Sequence, residues 1–212
     1  YEILRKIKVI KKIYILTKQD IDNSIKNLNE TLHLDINYII IASETYKHLK
    51  QINWIDKNFT GIKVLVEKPL YHKFVNTSFK KNLYFVGYNM RFNPMILKTK
   101  ELIKGKKIWS SNIICSSYLP DWKKGNYSNQ YNASNKKGGG VLLDLSHEID
   151  YTRVIFGDYI IKKSFIRKIS NLKIKTNDIA SIIAQNKKNT VINVSLNYYS
   201  KLPVRIIYIE GL

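Results

Sequence analysis

Runs of apolar residues alternate with helically spaced ones along the first ninety residues. The stretch 11 to 17, KKIYILT, is β-branched and aromatic and predicts a strand. Ile21, Ile25, Leu28 and Leu32 follow at spacings of 4, 3 and 4, which predicts a helix over 18 to 34. Residues 36 to 43, INYIIIAS, form a continuous apolar run of the kind found in strands buried on both faces. The segment 45 to 58 reads as a helix, and the runs 62 to 70 and 82 to 89 read as further strands, the first of them stopped by Pro69. Strand and helix in alternation predict a parallel sheet with helices on both faces.

The texture changes near residue 90. A helix follows RFNP, then a strand over 107 to 119 and a polar loop from 120 to 137. Three glycines open an expected helix over 141 to 156 that ends at Gly157, with Leu142, Leu145 and Ile149 as its buried stripe. Four alternating strands close the chain, the middle two joined by a hairpin turn at Lys187, Lys188 and Asn189. This half predicts a mostly antiparallel sheet with a helix packed on it. The fold class is therefore α/β: a Rossmann-type parallel sheet over 1–89, followed over 90–212 by an α+β domain with an open sheet.

Composition alters this picture little. The 212 residues are 44% hydrophobic and 12% aromatic, enough for a substantial core. Their formal charge is +20, yet only Arg5, Arg91, Arg153, Arg167 and Arg205 among the 36 basic residues are arginines. Lysines scattered among Ile and Asn reflect a bias of the whole chain. Nucleic-acid readers lean on arginine and cluster their charge, so a nucleic-acid partner is not expected, although a basic field attracts anionic ligands. The single Cys115 excludes an internal disulfide framework and lies in an apolar alternation, as a buried thiol would. No run approaches the length of a membrane span, no signal peptide opens the chain, and no metal cluster is evident. A cytoplasmic setting and no membrane partner are expected. The chain lacks an initiator Met and begins within a pattern.

The chemistry-bearing segments are EKPL (67 to 70), ASETYKH (42 to 48) and GGGVLLDLSHEIDY (138 to 151). The first two fall at carboxyl ends of predicted parallel strands, where ligands of open α/β sheets bind. Lys68 then projects toward a ligand crevice, though a solvated lysine gives the same spacing. In the third, glycines without Cβ let a backbone or a ring approach closely. Asp144 and His147 stand three apart and would share a helix face, as would His147 and Tyr151. A lone helix histidine is more often structural; one preceded by an aspartate and three glycines favours a functional reading.

EKPL, VGYNMRFNP (86 to 94) and GGGVLLDLSHEIDY, in this order, resemble the Gfo/Idh/MocA family of NAD(P)-dependent sugar and inositol oxidoreductases, and the resemblance covers nearly the whole chain. It implies a Rossmann domain followed by an α/β domain whose open sheet carries the substrate site. It also implies hydride transfer between NAD or NADP and a hydroxyl or keto carbon of a sugar, cyclitol or sugar nucleotide. Lys68 and His147 would be the catalytic acid/base candidates, with Asp144 orienting substrate or histidine. Thr17, Lys18, Ser43, Thr45, His48, Glu67, Lys68, Pro69 and Arg91 would face the cofactor. Tyr118, Trp122 and Tyr131, in or beside the polar loop, would stack on a sugar ring or simply anchor the loop. The segment SYLPDW resembles members of surface-sugar biosynthesis. A homo-oligomer through the C-terminal sheet is a further family expectation.

The chain departs from the family at several points. Glu44 stands where proline is usual, and the aspartate-to-histidine spacing is three rather than four. No G-x-G-x-x-G turn, whose helix N-terminus binds pyrophosphate, occurs in the sequence. The chain is therefore expected to be cut at both ends. The predicted second strand ends in Thr17 and Lys18 rather than an acidic residue, which suits a 2′-phosphate and hence NADP. Two other classes stand beside the enzyme: a non-catalytic family member without the pyrophosphate turn, and a basic nucleic-acid-binding protein.

Overall fold

The computed structural model describes residues 2 to 212. A short helix α1 (Glu2–Arg5) precedes strands β1 (Ile15–Leu16) and β2 (Ser24–Ile25), which pair in parallel as a separate two-stranded ribbon. The helix expected over 18 to 34 does not form. Ile21 and Leu32 are exposed and only Ile25 of the four spaced residues is buried. The reason is local polar competition. Asn23 adopts a left-handed φ of 57°. Asn27 accepts from the N–H groups of Asn29 and Glu30 while Glu30 Oε1 accepts from the N–H of Asn27, a capping box that starts only a short 3₁₀ turn over Leu28–His33. Asn and Asp side chains offer the backbone partners outside a helix.

Strands β3 (Tyr38–Ile41), β4 (Lys63–Val66) and β5 (Leu83–Val86) form a parallel sheet in that order, with Ile41 opposite Val66 and Val66 opposite Val86. The helix α2 (Thr45–Asn58) covers one face and buries Ile52 and Ile55 against Ile41, Ile62, Val64 and Val66. The other face is open: Ile40, Leu83 and Phe85 are exposed. The apolar run 36 to 43 is thus covered on one side, not two. Its continuous hydrophobicity is the signature of double burial, but among the described residues only one helical layer reaches this sheet.

The second half contains α3 (Pro94–Leu102), β6 (Ile108–Tyr118), α4 (Val141–Asp144), α5 (Ser146–Phe156), β7 (Tyr159–Arg167), β8 (Ile179–Asn186), β9 (Val191–Asn197) and β10 (Tyr199–Gly211). The sheet order is β10-β6-β9-β8-β7, antiparallel throughout except between β6 and β9. Its inner face carries Ile113, Cys115, Ala180, Ile182, Ile192, Val194 and Leu196 and packs on Tyr151, Ile155 and Phe156 of α5. Its outer face bears exposed Ile114, Phe165, Ile183, Ile206 and Tyr208. In the β8–β9 hairpin Asn189 takes φ 64° and Asn186 Oδ1 accepts from the N–H groups of Lys188 and Thr190.

The helix expected over 141 to 156 is two helices, broken at Leu145 (φ −96°, ψ 28°). The break rotates the buried face. Leu142 and Ile149 are only half-buried, whereas Asp144, Glu148, Tyr151, Thr152 and Ile155 go under. The preceding glycines let backbone and ring approach. A Cβ on Gly139 would lie 2.3 Å from the Tyr131 carbonyl oxygen, and one on Gly138 would lie 2.7 Å from His72 Cβ. Gly138 thereby seats the second half directly against the first.

Candidate active site

Lys68 leaves the carboxyl end of β4 through a cis Lys68–Pro69 peptide. Its Nζ donates to the carbonyl oxygen of Asp144 at 2.6 Å, across 76 residues of sequence. Burial lowers the Lys68 pKa, and the charges of Asp144, Glu148 and Glu67 oppose that shift. His147 opens α5 beside this contact, with its ring edge-on to Tyr88 at 5.8 Å. Burial, followed by the positive charges of Lys68 and Arg205, pushes its pKa down to about 4. Its Nδ1 is buried and has no hydrogen-bond partner. The structure therefore brings Lys68 and His147 to one seam at the rim of the parallel sheet. The imidazole is neutral at physiological pH, and one ring nitrogen is uncommitted.

Asp144 is held from two sides. Its carboxylate accepts from Asn132 Nδ2 at 2.5 Å and from the Tyr198 hydroxyl, and the residue is 6% exposed. Burial raises its pKa against the opposing bonds to Tyr198 and Asn132. Because the helix breaks at Leu145, this carboxylate points into the loop and not toward His147. The backbone carbonyl of Asp144 accepts from the Lys68 amine, and its carboxylate charge opposes the burial-driven fall of the Lys68 pKa.

Beneath the seam lies a group that sequence reasoning missed. Glu148 is fully buried, and its Oε1 receives Arg205 Nε at 2.7 Å. Glu148 Oε2 and the Tyr151 hydroxyl, both buried, have no hydrogen-bond partner among the described residues. Burial and the Glu148 charge push the Cys115 thiol up to about 12, so this cysteine is an inert core residue. One signal was available: Glu148 lies three and seven residues before Tyr151 and Ile155, a carboxylate on an apolar helix face. Nothing in the pattern distinguished Tyr198 or Asn132.

The expected cofactor-facing residues divide. Arg91, in the turn after β5, makes a two-point pair with Asp150 of α5, Nε to Oδ2 at 2.7 Å and Nη2 to Oδ1 at 2.5 Å. Glu67 is exposed at the strand end, while Thr45 and Pro69 are buried. Ser43 Oγ is engaged by Gln51 at 2.6 Å. His48 has no exposed surface, and its ring nitrogens lie 3.0 Å from the Ser43 carbonyl and 3.2 Å from the Leu70 carbonyl. It therefore ties the ASETYKH turn to the EKPL turn, with both ring nitrogens against backbone carbonyls. Thr17 and Lys18 follow β1, which is not joined to the three-stranded sheet. Thr17 Oγ1 accepts the N–H of Gln19 at 3.1 Å, and Lys18 is exposed. The replacement of proline by Glu44 is accommodated in an extended turn, with Glu44 paired to Lys47 at 2.6 Å.

Of the loop aromatics, Trp122 is an anchor. Its Nε1 donates to Ser117 at 3.0 Å and its ring meets Tyr198 edge-on at 5.3 Å. Tyr118 packs on the same core. Tyr131 is the one tied to the seam: burial and the Asp144 charge push its pKa to about 12.

A three-stranded parallel sheet whose strand ends meet a lysine and a histidine is joined to an open, mostly antiparallel sheet, a two-part α/β architecture. The family described as "Oxidoreductase family, C-terminal alpha/beta domain" matches residues 100–206, and the chain belongs to this Gfo/Idh/MocA family. Solved structures agree in fold. The WlbA dehydrogenase from Bordetella pertussis, in complex with NADH and UDP-GlcNAcA, superposes with a TM-score of 0.74 at 14% identity, over 89% of this chain and 57% of that one. An oxidoreductase from Thermotoga maritima gives 0.74 at 20% identity, over 89% and 60%. An inositol dehydrogenase homolog from Azotobacter vinelandii, complexed with NAD+, gives 0.68 at 14% identity, over 86% and 52%. The chain thus spans 52 to 60% of these structures' own lengths. No curated protein matches the sequence.

Proposed function

We propose that this protein works in hydride transfer between NAD or NADP and a hydroxyl or keto carbon of a sugar, cyclitol or sugar nucleotide. The observation that carries this reading is the convergence of Lys68 and His147, with an unpartnered Nδ1 on the latter. The residues present suit the reacting end of a dinucleotide, since a neutral imidazole with an uncommitted nitrogen stands three residues after the carbonyl that holds the half-buried Lys68 amine. The nicotinamide would supply the hydride acceptor. The hydroxyl proton of the substrate then needs a base, and two groups are placed for it. Lys68, with its pKa lowered by burial, holds more free amine near neutrality than a solvated lysine. His147, neutral above about pH 4, is the other. Asp144 positions Lys68 through its carbonyl, and Arg91 braces α5 through Asp150.

The division at residues 89 and 90 follows the change from parallel to mostly antiparallel sheet. The lack of an acidic residue at Thr17–Lys18 favours NADP. The SYLPDW segment supports a place in surface-polysaccharide sugar synthesis. The exposed apolar groups on the outer face of the five-stranded sheet support self-association there. A cytoplasmic setting belongs to the same reading; among the described residues no helix is long and apolar enough to cross a membrane.

The test is a titration with NAD and NADP followed by turnover of candidate sugars. Lys68→Ala and His147→Ala are each expected to lower the rate by about 10²–10⁴-fold. Near-normal turnover in both variants would end the assignment. A second reading is a family member that binds no dinucleotide; failure to bind either cofactor would favour it.

A further inference from the structure

The break between α4 and α5 leaves a backbone acceptor open. In an uninterrupted helix the N–H of residue 148 would bond the carbonyl of residue 144. Here the Glu148 N–H bonds the Leu145 carbonyl at 3.3 Å instead. The Asp144 carbonyl receives the Lys68 amine at 2.6 Å in its place. Carbonyls at a helix end need such partners, and a cation suits them. The residue whose N–H gave way to Lys68 is the one that carries the buried carboxylate.

Glu148 has no exposed surface. Its backbone is pinned by the Thr152 hydroxyl, which donates to the Glu148 carbonyl at 2.6 Å. Arg205 Nε reaches one carboxylate oxygen from β10 at 2.7 Å. The other oxygen is buried with no hydrogen-bond partner among the described residues. One contact from a half-exposed guanidinium compensates this charge only in part. The remainder acts on the surroundings. After burial, the Glu148 charge is the next influence raising the Cys115 thiol on β6 and the Tyr151 hydroxyl on α5.

The charges around the Lys68 amine come from four elements. Asp144 of α4, Glu148 of α5 and Glu67 at the end of β4 are negative, and Arg205 of β10 is positive. His147 of α5 is neutral above about pH 4 and adds no charge near neutrality. The Asp144 carboxylate is engaged by Asn132 and Tyr198. Glu67 is exposed, where solvent and salt weaken its field. Glu148 is the one acidic group of the three with no exposed surface, and a charge acts most strongly in such surroundings.

We propose that Glu148 is a positioning residue for Lys68: from behind the helix break its carboxylate holds the amine as an ammonium ion on the Asp144 carbonyl, and Arg205 tempers that hold. Its part in catalysis rests on the hydride-transfer reading above. There the ammonium form gives a proton to the substrate oxygen and the free amine takes one. Glu148 weights Lys68 toward the donor, and Arg205 weights it toward the acceptor. The proton passes between Lys68 Nζ and the substrate oxygen, and Glu148 keeps its charge throughout.

The experiment follows the Lys68 amine itself, in the full chain without cofactor or substrate. Trace acetic anhydride labels free amines, and mass spectrometry of the Lys68 peptide gives the labelling rate as a function of pH. The midpoint of that profile reports proton affinity, and the plateau at high pH reports access. Glu148→Gln keeps the shape and an acceptor for Arg205 but drops the charge. Its midpoint falls, and labelling at pH 7 quickens by about threefold or more at an unchanged plateau. The paired variant Glu148→Leu, Arg205→Leu removes both charges, a replacement that buried ion pairs tolerate. Its midpoint lies between those of the native chain and Glu148→Gln, and it decides the matter should melting curves show Glu148→Gln to be misfolded. Asp158→Asn, which removes an exposed carboxylate paired with Arg153, leaves the midpoint in place. A midpoint unmoved or raised in Glu148→Gln, the mark of a lysine merely loosened into solvent, overturns the proposal. So does a midpoint at or above the native one in the paired variant, or an equal fall in Asp158→Asn. Those results would sink this inference alone. Near-normal turnover of Lys68→Ala and His147→Ala would sink the hydride-transfer reading alone and leave the electrostatics of Lys68 standing.

Discussion

Arg205 of β10 and Glu148 of α5 are joined by a single contact, Nε to Oε1 at 2.7 Å, in which the carboxylate is fully buried and the guanidinium side chain remains 45% exposed. The pair fastens the edge strand of the large sheet to the helix that carries His147. Removing a partner from a buried carboxylate leaves an uncompensated charge, at about 3–5 kcal/mol for a fully buried pair. Half-solvation of Arg205 lowers that figure, so Arg205→Ala is expected to destabilise by about 2–3 kcal/mol. Arg205→Lys should recover only part, because an ammonium cannot reproduce the guanidinium geometry. Urea denaturation measures both; a loss below about 0.5 kcal/mol, the scale of an exposed pair, would show that the contact holds nothing together.

Gly139 and Gly61 make a matched contrast. A Cβ on Gly139 would meet the carbonyl oxygens of Tyr131 at 2.3 Å and Asn132 at 2.4 Å, whereas Gly61 has φ 78° and open space around it. Gly139→Ala forces the 131–132 loop away from Asp144 and should be destabilising by about 3 kcal/mol, the upper range for overpacking. Gly61→Ala carries only the left-handed backbone strain, about 1 kcal/mol. Thermal melts of the two variants give the order; equal melting points would remove the crowding argument.

Much of this architecture could be read from the chain, and the failures have physical causes. Val64 and Val66 sit in an apolar run closed by proline, and the strand formed there. Asn189 lies in a polar turn between alternating segments, and the hairpin formed there. In the segment 18 to 34, by contrast, apolar spacing was helical, but Asp20 and Asn27 bond to local partners and Asn23 takes a left-handed φ, which a spacing rule ignores. The break at Leu145 was also invisible, because no proline or glycine marks it. That break turned the Asp144 carboxylate toward Asn132 and Tyr198, partners 12 residues back and 54 residues on. The meeting of Lys68 with the Asp144 region was legible because motif order and strand ends both pointed to it. Glu148–Arg205 was not, since a pairing across 57 residues leaves no local periodicity.

His147 makes stability depend on pH in a definite direction. Its ordinary pKa is 6.5 and the folded value is about 4. Above pH 6.5 both folded and unfolded rings are neutral and nothing is lost. Between 6.5 and about 4 the unfolded chain binds a proton that the folded ring refuses, so stability falls as the pH falls; below about 4 the loss is complete. The total is at most about 3 kcal/mol, reduced by the ring's partial contact with solvent. Asp144, with its pKa raised by burial, acts in the opposite sense on acidification. A His147→Gln variant retains Asp144, so the difference between variant and native isolates the histidine. Urea midpoints at pH 7.5, 5.5 and 4 should diverge steadily; a gap independent of pH would contradict the burial of this ring.

Cys115 should resist alkylation. Its thiol, pushed up to about 12 and 5% exposed, presents almost no thiolate at neutral pH. Iodoacetamide labelling is expected to follow unfolding, slow in buffer and fast in denaturant. Rapid labelling of the native protein would place the residue elsewhere than in the core.

The two-point contact between Arg91 and Asp150 has a mechanical consequence. One residue belongs to the turn leaving the small sheet and the other to α5, so the pair is an electrostatic strut linking the small parallel sheet to the helix that carries His147. Its arginine is 51% exposed, and ions in solution weaken such a strut within about a Debye length, near 8 Å at physiological strength. Ionic strength is thus a handle on how firmly Lys68 and His147 are held in register, one that acts without touching either residue.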